Sequence, residues 1–390
     1  MKDSGRGLRR IVLKLGTQAV IDKRGQFARA RLRVLIRDYV ALAELGIAKD
    51  LILVSSGAVG LGRTALKISR ELSVREKQAC AAVGQSLLMR EYASILRKTG
   101  LAPAQLLLTS TDFSERARFV HLRETLDTLL EMGAFPIINE NDVVSAAELE
   151  PEAGTKSFSD NDRLAALVAA KLGADLLVML TDVDGIYTDN PAKNREARRI
   201  PRIDDLAQLG DIVARGNSRA GRGGMASKIA AARVAAVSGV DTLVASALDP
   251  RVVAGLRRIG TEGMDVLSEL GTWVRARARV ASSRKRWISD LSGVGGVILV
   301  NAGASEAIRS RDASLLPSGV TGVKGRFAAD SVVSIQDEEG REIARGVTPL
   351  SSESILRVRG MKSREAAQAL GRGARGEVIH RDQLVVMEGM

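Results

Sequence analysis

Hydrophobic positions along the first two-thirds of the chain fall into two alternating textures. Short apolar runs at residues 10–15 (RIVLKL), 51–54, 104–108, 134–138, 176–180 and 242–245 read as buried strands. Between most of them lie stretches with apolar residues at helical spacing, such as residues 29–45. Ser73-x-x-Glu76 predicts a capping-box start for a long helix ending near Gly100. Strands and helices in alternation predict an α/β fold, with helices on both faces of a mostly parallel sheet. In such sheets ligands sit beyond the carboxyl ends of the strands. After about residue 276 the texture changes. Runs at 296–300 and 332–335 are punctuated by Gly, Pro and the turn sequence Asp-Glu-Glu-Gly at 337–340, predicting a compact antiparallel β unit.

The chain has 390 residues, 45% of them hydrophobic, which suits two domains better than one. The expected division is residues 1–276, a basic linker at 277–290, and residues 291–390. No apolar run reaches the roughly 18 residues of a membrane span, and the opening MKDSGRGLRR leads only into a short strand. The single cysteine, Cys80, cannot form an internal disulfide, and two histidines, His121 and His380, cannot build a His-rich metal site. These features predict a cytoplasmic protein with no membrane contact.

A net charge of +12 raises the question of nucleic acid, and its distribution answers part of it. Residues 277–390 hold 18 Lys/Arg and 13 Asp/Glu, so the excess is spread over both parts. The dense basic stretch is 275–287 (RARARVASSRKRW), which reads as a solvated linker or a nucleic-acid contact.

The dipeptide Gly-Lys never occurs, so a P-loop is excluded. A GxGxxG at Gly371, Gly373 and Gly376 follows a helix-like stretch instead of a strand and reads as a turn-rich loop. Three other places suit phosphate better. Lys14 stands at a strand's carboxyl end beside the turn Gly16-Thr17 and needs a partner, either an anion or solvent reached by its tip. Ser55-Ser56-Gly57 follows a strand and offers backbone N–H groups to an anion, or is a tight strand-to-helix link. Arg222-Gly223-Gly224-Met225-Ala226-Ser227-Lys228 opens an Ala-rich helix, where glycines, a helix N-terminus and a lysine favour phosphate over a plain flexible loop. Polar clusters also close strands or open helices at 139–142 (NEND), 159–162 (SDND) and Thr181-Asp182. Helix capping by Ser159 and Asp162, or simple turns, could explain each alone. Together they point to a phosphate-handling site.

In this order, the strings VLKLGT, SSGAVGLG, AAVGQSLL, INENDVV, LLVMLTDVDGIYT and GGMASKIAAA resemble the amino acid kinase family over nearly the whole chain. NEND followed by DND resembles its glutamate-directed branch. RKRW and SLLPSGV toward the C-terminus join these family strings, and the cues GREIARGV and VIHRDQLV resemble a PUA domain, a small β-rich module known from RNA-modifying enzymes. The resemblance implies a three-layer αβα sandwich followed by the PUA domain. It also implies transfer of phosphate from ATP, with Mg2+, to the side-chain carboxylate of L-glutamate.

By position, the resemblance assigns glutamate binding to Ser56, Gly57, Asp142 and Asn161. It assigns ATP binding to Lys14, Thr181, Asp182 and residues 222–228, and catalysis to Lys14, Asp162 and Lys228, with Asp162 holding the two lysines. No protein metal ligand is expected. Proline as feedback inhibitor, a homo-oligomer and a glutamyl phosphate reductase partner are further implications. RNA binding by the PUA domain stays open, as do a related acceptor such as acetylglutamate and an RNA-binding protein with a vestigial kinase domain. The chain departs from the family pattern in a longer 142–161 segment, which bears on the glutamate lid, and in Arg222, which bears on nucleotide contacts.

Overall fold

The computed structural model describes residues 7–144, 161–189, 191, 194–206, 208, 225–276, 294–311, 313–329, 331–370 and 376–387. The chain divides into two compact units, Met1–Ala278 and Arg279–Met390. The expected linker at 277–290 lies outside the described residues.

The first unit is built on eight strands: β1 (Leu8–Leu15), β2 (Ala48–Ser55), β3 (Ala102–Leu108), β4 (Ala134–Glu140), β5 (Leu176–Thr181), β6 (Arg202–Ile203), β7 (Asp241–Ser246) and β8 (Thr272–Val274). Their order is β3-β4-β2-β1-β5-β7-β8-β6, parallel throughout except for the β7–β8 pair. The six apolar runs read from the sequence are β1 to β5 and β7. The short strands β6 and β8 carry no alternation long enough to read.

Because side chains alternate across a strand, β1 serves both faces of the sheet. Ile11, Leu13 and Leu15 enter a core with Leu32, Ile36 and Tyr39 of the Arg29–Glu44 helix. Arg10 and Lys14 have the opposite parity and lie toward the side packed by the Asn161–Lys171 and Met225–Val237 helices. Both cations are buried, at 3% exposure each. The Arg10 guanidinium meets Asp50 at 2.9 Å and Asp127 at 2.7 Å, and donates to the Leu172 carbonyl. That cluster closes the amino end of the strand as a structural unit.

The Val74–Leu96 helix begins with the capping box foreseen at Ser73 and Glu76, both reciprocal bonds being present. A short 3-10 turn, Arg97–Thr99, carries it to Gly100, whose φ of 72° ends it in the left-handed region. This helix packs tightly on the preceding one, Ala58–Ala65, through two glycines. A Cβ at Gly84 would lie 1.7 Å from the Ala58 carbonyl oxygen, and one at Gly62 would lie 1.8 Å from that of Cys80. The close approach fixes the turn after β2 against the helix that carries Gln85.

The second unit has five strands, β9 (Gly296–Val300), β10 (Val320–Lys324), β11 (Ser331–Gln336), β12 (Glu342–Thr348) and β13 (Leu384–Val386), in the order β10-β9-β11-β12-β13. The expected turn at 337–340 joins β11 to β12, with the Gly340 N–H donating to the Asp337 carbonyl. The unit is not wholly antiparallel, because β9 and β11 pair in parallel. Helix Ala302–Arg311 and strand β10 separate them along the chain, which makes that parallel return possible. Ile298, Val300, Val333, Ile335, Ile343 and Leu384 form its core with Ile308 and Ile355. At Gly376, φ is 69° and a Cβ would lie 2.4 Å from the Ser363 carbonyl, so this last glycine of the GxGxxG string occupies a packed turn. Gly371 and Gly373 lie outside the described residues.

The helix contact makes a direct test possible. Replacing Gly84 with Ala should lower unfolding free energy by about 3 kcal/mol, since backbone at the contact must move to admit the methyl group. Chemical denaturation of the parent and variant would measure the loss, and equal midpoints would contradict the close packing.

Candidate active site

Strands β1, β2 and β5 are neighbours, and hydrogen bonds beyond their carboxyl ends knit the following turns together. The Ser56 N–H donates to the Leu15 carbonyl at 3.1 Å, and the Gly16 N–H donates to that of Leu180 at 3.3 Å. The side chain of Lys14 rises from β1 into this region. Its ammonium lies 2.5 Å from Asp162 Oδ1, and the Lys228 ammonium lies 3.2 Å from Asp162 Oδ2. Asp162 stands in the first turn of the Asn161–Lys171 helix and is fully buried, while Lys228 stands in the first turn of the Met225–Val237 helix. Three charged groups from distant parts of the chain thus meet under cover, carrying between them one net positive charge.

Burial alone would push the Asp162 carboxyl upward. The charges of Lys14 and Lys228, with the hydrogen bonds both donate, overcome it and hold the group below the usual carboxylate range. Gly16 lies against the same ammonium, where a Cβ would sit 3.5 Å from Lys14 Nζ. The arrangement is a preorganised cationic cradle suited to an anion with several oxygens.

One residue before Asp162, the Asn161 carboxamide reaches the other side of the site. Its Nδ2 lies 2.8 Å from Ser56 Oγ, 2.9 Å from the Ser55 carbonyl and 2.9 Å from Asn139 Oδ1. Gly57 supplies the turn that brings Ser56 here. It has φ of +105°, and a Cβ would meet Val20 Cγ1 at 3.0 Å, so glycine suits both backbone and space. Asp142 lies half-buried in the turn after β4, whose Asn141 N–H donates to the Leu108 carbonyl. At the end of β5, Thr181 is buried and its hydroxyl donates to exposed Asp182 at 2.8 Å. Met225, Ala226 and Ser227 open the helix that presents Lys228. Arg222, Gly223, Gly224 and residues 145–160 lie outside the described residues.

Residues 9–246 match the model of the amino acid kinase family. The chain belongs to the amino acid kinase family. Residues 296–370 match the PUA domain. The match to the amino acid kinase family begins in β1 and ends with β7, so it takes in the cradle and the Ser56–Asn161 contact. Among curated relatives, the glutamate 5-kinase of Trichlorobacter lovleyi is 41% identical over 382 residues, covering 97% of each chain. That of Moorella thermoacetica is 40% identical, covering 97% of this chain and 96% of its own. That of Carboxydothermus hydrogenoformans is 38% identical over the full length of both.

In this member of the amino acid kinase family, two groups of the site were not singled out from the sequence as site residues. Asn139 appears there only as part of a polar cluster, and Gln85 only inside a longer string. The structure joins them directly, with Asn139 Nδ2 donating to Gln85 Oε1 at 2.9 Å. Nothing in local spacing signals this, because Gln85 lies within a long helix and its partner on a strand 54 residues away.

Replacing Asp162 with Asn should be costly, because two buried ammoniums lose their shared counter-charge; breaking such a cluster is worth about 3–5 kcal/mol. With the folded pKa below the ordinary value of 3.8, the parent's gain is complete at neutral pH and lost as pH falls through the folded pKa. Urea midpoints should therefore differ most near neutrality and converge in acid. A difference independent of pH would contradict the ionic origin.

Proposed function

We propose that this protein transfers the γ-phosphoryl group of ATP to the side-chain carboxylate of L-glutamate, giving γ-glutamyl phosphate and ADP, the opening step of proline biosynthesis. The observation that carries the reading is the start of one helix: Asp162 gathers Lys14 and Lys228, while adjacent Asn161 binds Ser56. A phosphate cradle and an acceptor pocket are thereby held one residue apart. The full-length similarity to glutamate 5-kinases supports glutamate as the acceptor.

A carboxylate is already ionised at neutral pH and needs no general base. One of its oxygens attacks the γ-phosphorus, the bond to the β–γ bridging oxygen breaks, and the electron pair leaves with ADP. Lys14 and Lys228 stabilise negative charge on the transferring group and the leaving oxygen, and Asp162 fixes their positions. Thr181, Asp182 and the stretch 222–228 would face the nucleotide.

On the acceptor side, Ser56 Oγ accepts from Asn161 and so keeps its own proton to donate to a glutamate carboxylate oxygen. Asp142 offers a negative charge for the substrate's α-ammonium. Magnesium neutralises phosphate charge when bound with ATP. Among the described residues no cluster of three or more His, Cys, Asp or Glu could hold it, and the phosphate oxygens themselves would be its main ligands.

Two measurements test the reading. Purified protein with Mg-ATP, L-glutamate and hydroxylamine should yield a hydroxamate, because hydroxylamine traps an acyl phosphate. Acetylglutamate lacks the α-ammonium and aspartate has a shorter side chain, so both should react poorly. Preference for either would overturn the substrate, and no ATP-dependent product with any acceptor would overturn the kinase reading. In the second, Lys14→Ala and Lys228→Ala should each cost about 2.7–4 kcal/mol in activation free energy, a fall in kcat of roughly 100- to 1,000-fold. Near-parental turnover in either folded variant would remove that lysine from the chemistry.

A further inference from the structure

The side-chain amides beside the acceptor pocket form a relay whose polarity is fixed from both ends. The Glu140 backbone N–H donates at 2.9 Å to one head of the Asn139 carboxamide, which must therefore be its oxygen. At the far end, the Asn161 head that meets the Ser55 carbonyl at 2.9 Å must be its nitrogen, and this nitrogen donates to the same Asn139 oxygen. Asn139 is left with its NH2 group facing Gln85, so Gln85 must offer its own oxygen there. The other head of Gln85, Nε2, has no hydrogen-bond partner among the described residues, although the residue is only 9% exposed and the atom itself is covered.

A buried amide nitrogen with both protons unmet is unfavourable and rare. Flipping the Gln85 amide offers no relief, since it would set NH2 against the NH2 of Asn139. Close packing at Gly84 and Gly62 holds the helix in place and keeps the side chain from moving away. We propose that Gln85 is a further substrate-contacting residue, its Nε2 donating to a carboxylate oxygen of the bound amino-acid acceptor. Its position supports this: Gln85 binds Asn139, and Asn139 binds Asn161 at the atom that also contacts Ser56. A carboxylate accepts without donating and so complements the unmet protons. One side chain then does two things, with Oε1 setting the relay and Nε2 reading the acceptor. The inference rests on the reading of the site as a carboxylate kinase.

Gln85→Glu separates the two roles. A carboxylate in that place still accepts from Asn139 but cannot donate, and its charge opposes that of the substrate. The KM for glutamate should rise about tenfold or more, with the KM for ATP within about twofold of the parent, while the melting temperature falls because a charge replaces a neutral amide under cover. Gln85→Met removes both roles and should raise the glutamate KM while also lowering the melting temperature. If Gln85→Glu folds and keeps a glutamate KM within about twofold of the parent, Gln85 merely props Asn139 and the proposal is overturned. If Gln85→Glu does not fold, Gln85→Met is read instead: a glutamate KM within about twofold of the parent overturns the proposal, and a rise of about tenfold or more with the ATP KM unchanged supports it. A parent enzyme inert toward glutamate but active on another carboxylate acceptor overturns the substrate reading alone, and the same two KM comparisons then apply with that acceptor.

Discussion

The ion triad of Lys14, Asp162 and Lys228 is the constraint on which the site depends. Taking three charges out of water is unfavourable, and the attraction among them compensates only when the geometry is good. At 2.5 and 3.2 Å from its two oxygens, the carboxylate holds both lysines with bonds that water would otherwise supply. Each lysine is carried by a different element, so the triad also ties β1 to the first turns of the Asn161–Lys171 and Met225–Val237 helices. A site that must receive highly charged phosphate gains from cations already desolvated and fixed, because little reorganisation remains for the transition state.

The same strand carries two buried cations in contrasting charge surroundings. Arg10 and Lys14 have the same parity on β1, yet their partners differ in balance. Arg10 meets two carboxylates, Asp50 and Asp127, whereas Lys14 shares one with a second cation. Among the ion pairs of the described residues, Arg10 is matched by two carboxylates, whereas the triad sets two cations against one carboxylate. Electrostatics therefore favours an anion at the end where strand-to-helix turns already present backbone N–H groups.

Glycine packing and the amide relay connect the scaffold to the proposed acceptor pocket. The Ala58–Ala65 and Val74–Leu96 helices approach so closely that no side chain fits at Gly62 or Gly84. This holds Ser56 at the start of one helix and Gln85 on the other in fixed relation to Asn139 on β4. Beneath the pocket, Ser55 Oγ lies 2.7 Å from the hydroxyl of buried Tyr92 on the same long helix. Burial pushes the Tyr92 hydroxyl's pKa well above its usual value, so it serves as a neutral hydrogen-bonding group.

The sequence by itself determined the alternation of strands and helices, the capping box at Ser73, the turn at 337–340 and the residue types gathered at strand ends. These follow from local rules: side-chain period, turn chemistry and capping spacing act within a few residues. The strings that mark the family also lie in short contiguous stretches. Tertiary structure alone decided the parallel return of β9 beside β11, the two short strands at the sheet edge, and the Gln85–Asn139–Asn161 relay. It also decided that Lys14 and Lys228 meet on opposite oxygens of Asp162, a contact the family resemblance implied but no spacing could establish. Such features depend on groups far apart in the chain. Whether a buried charge is neutralised, or a buried amide left with protons to give, is settled only when the folded chain brings its neighbours into place.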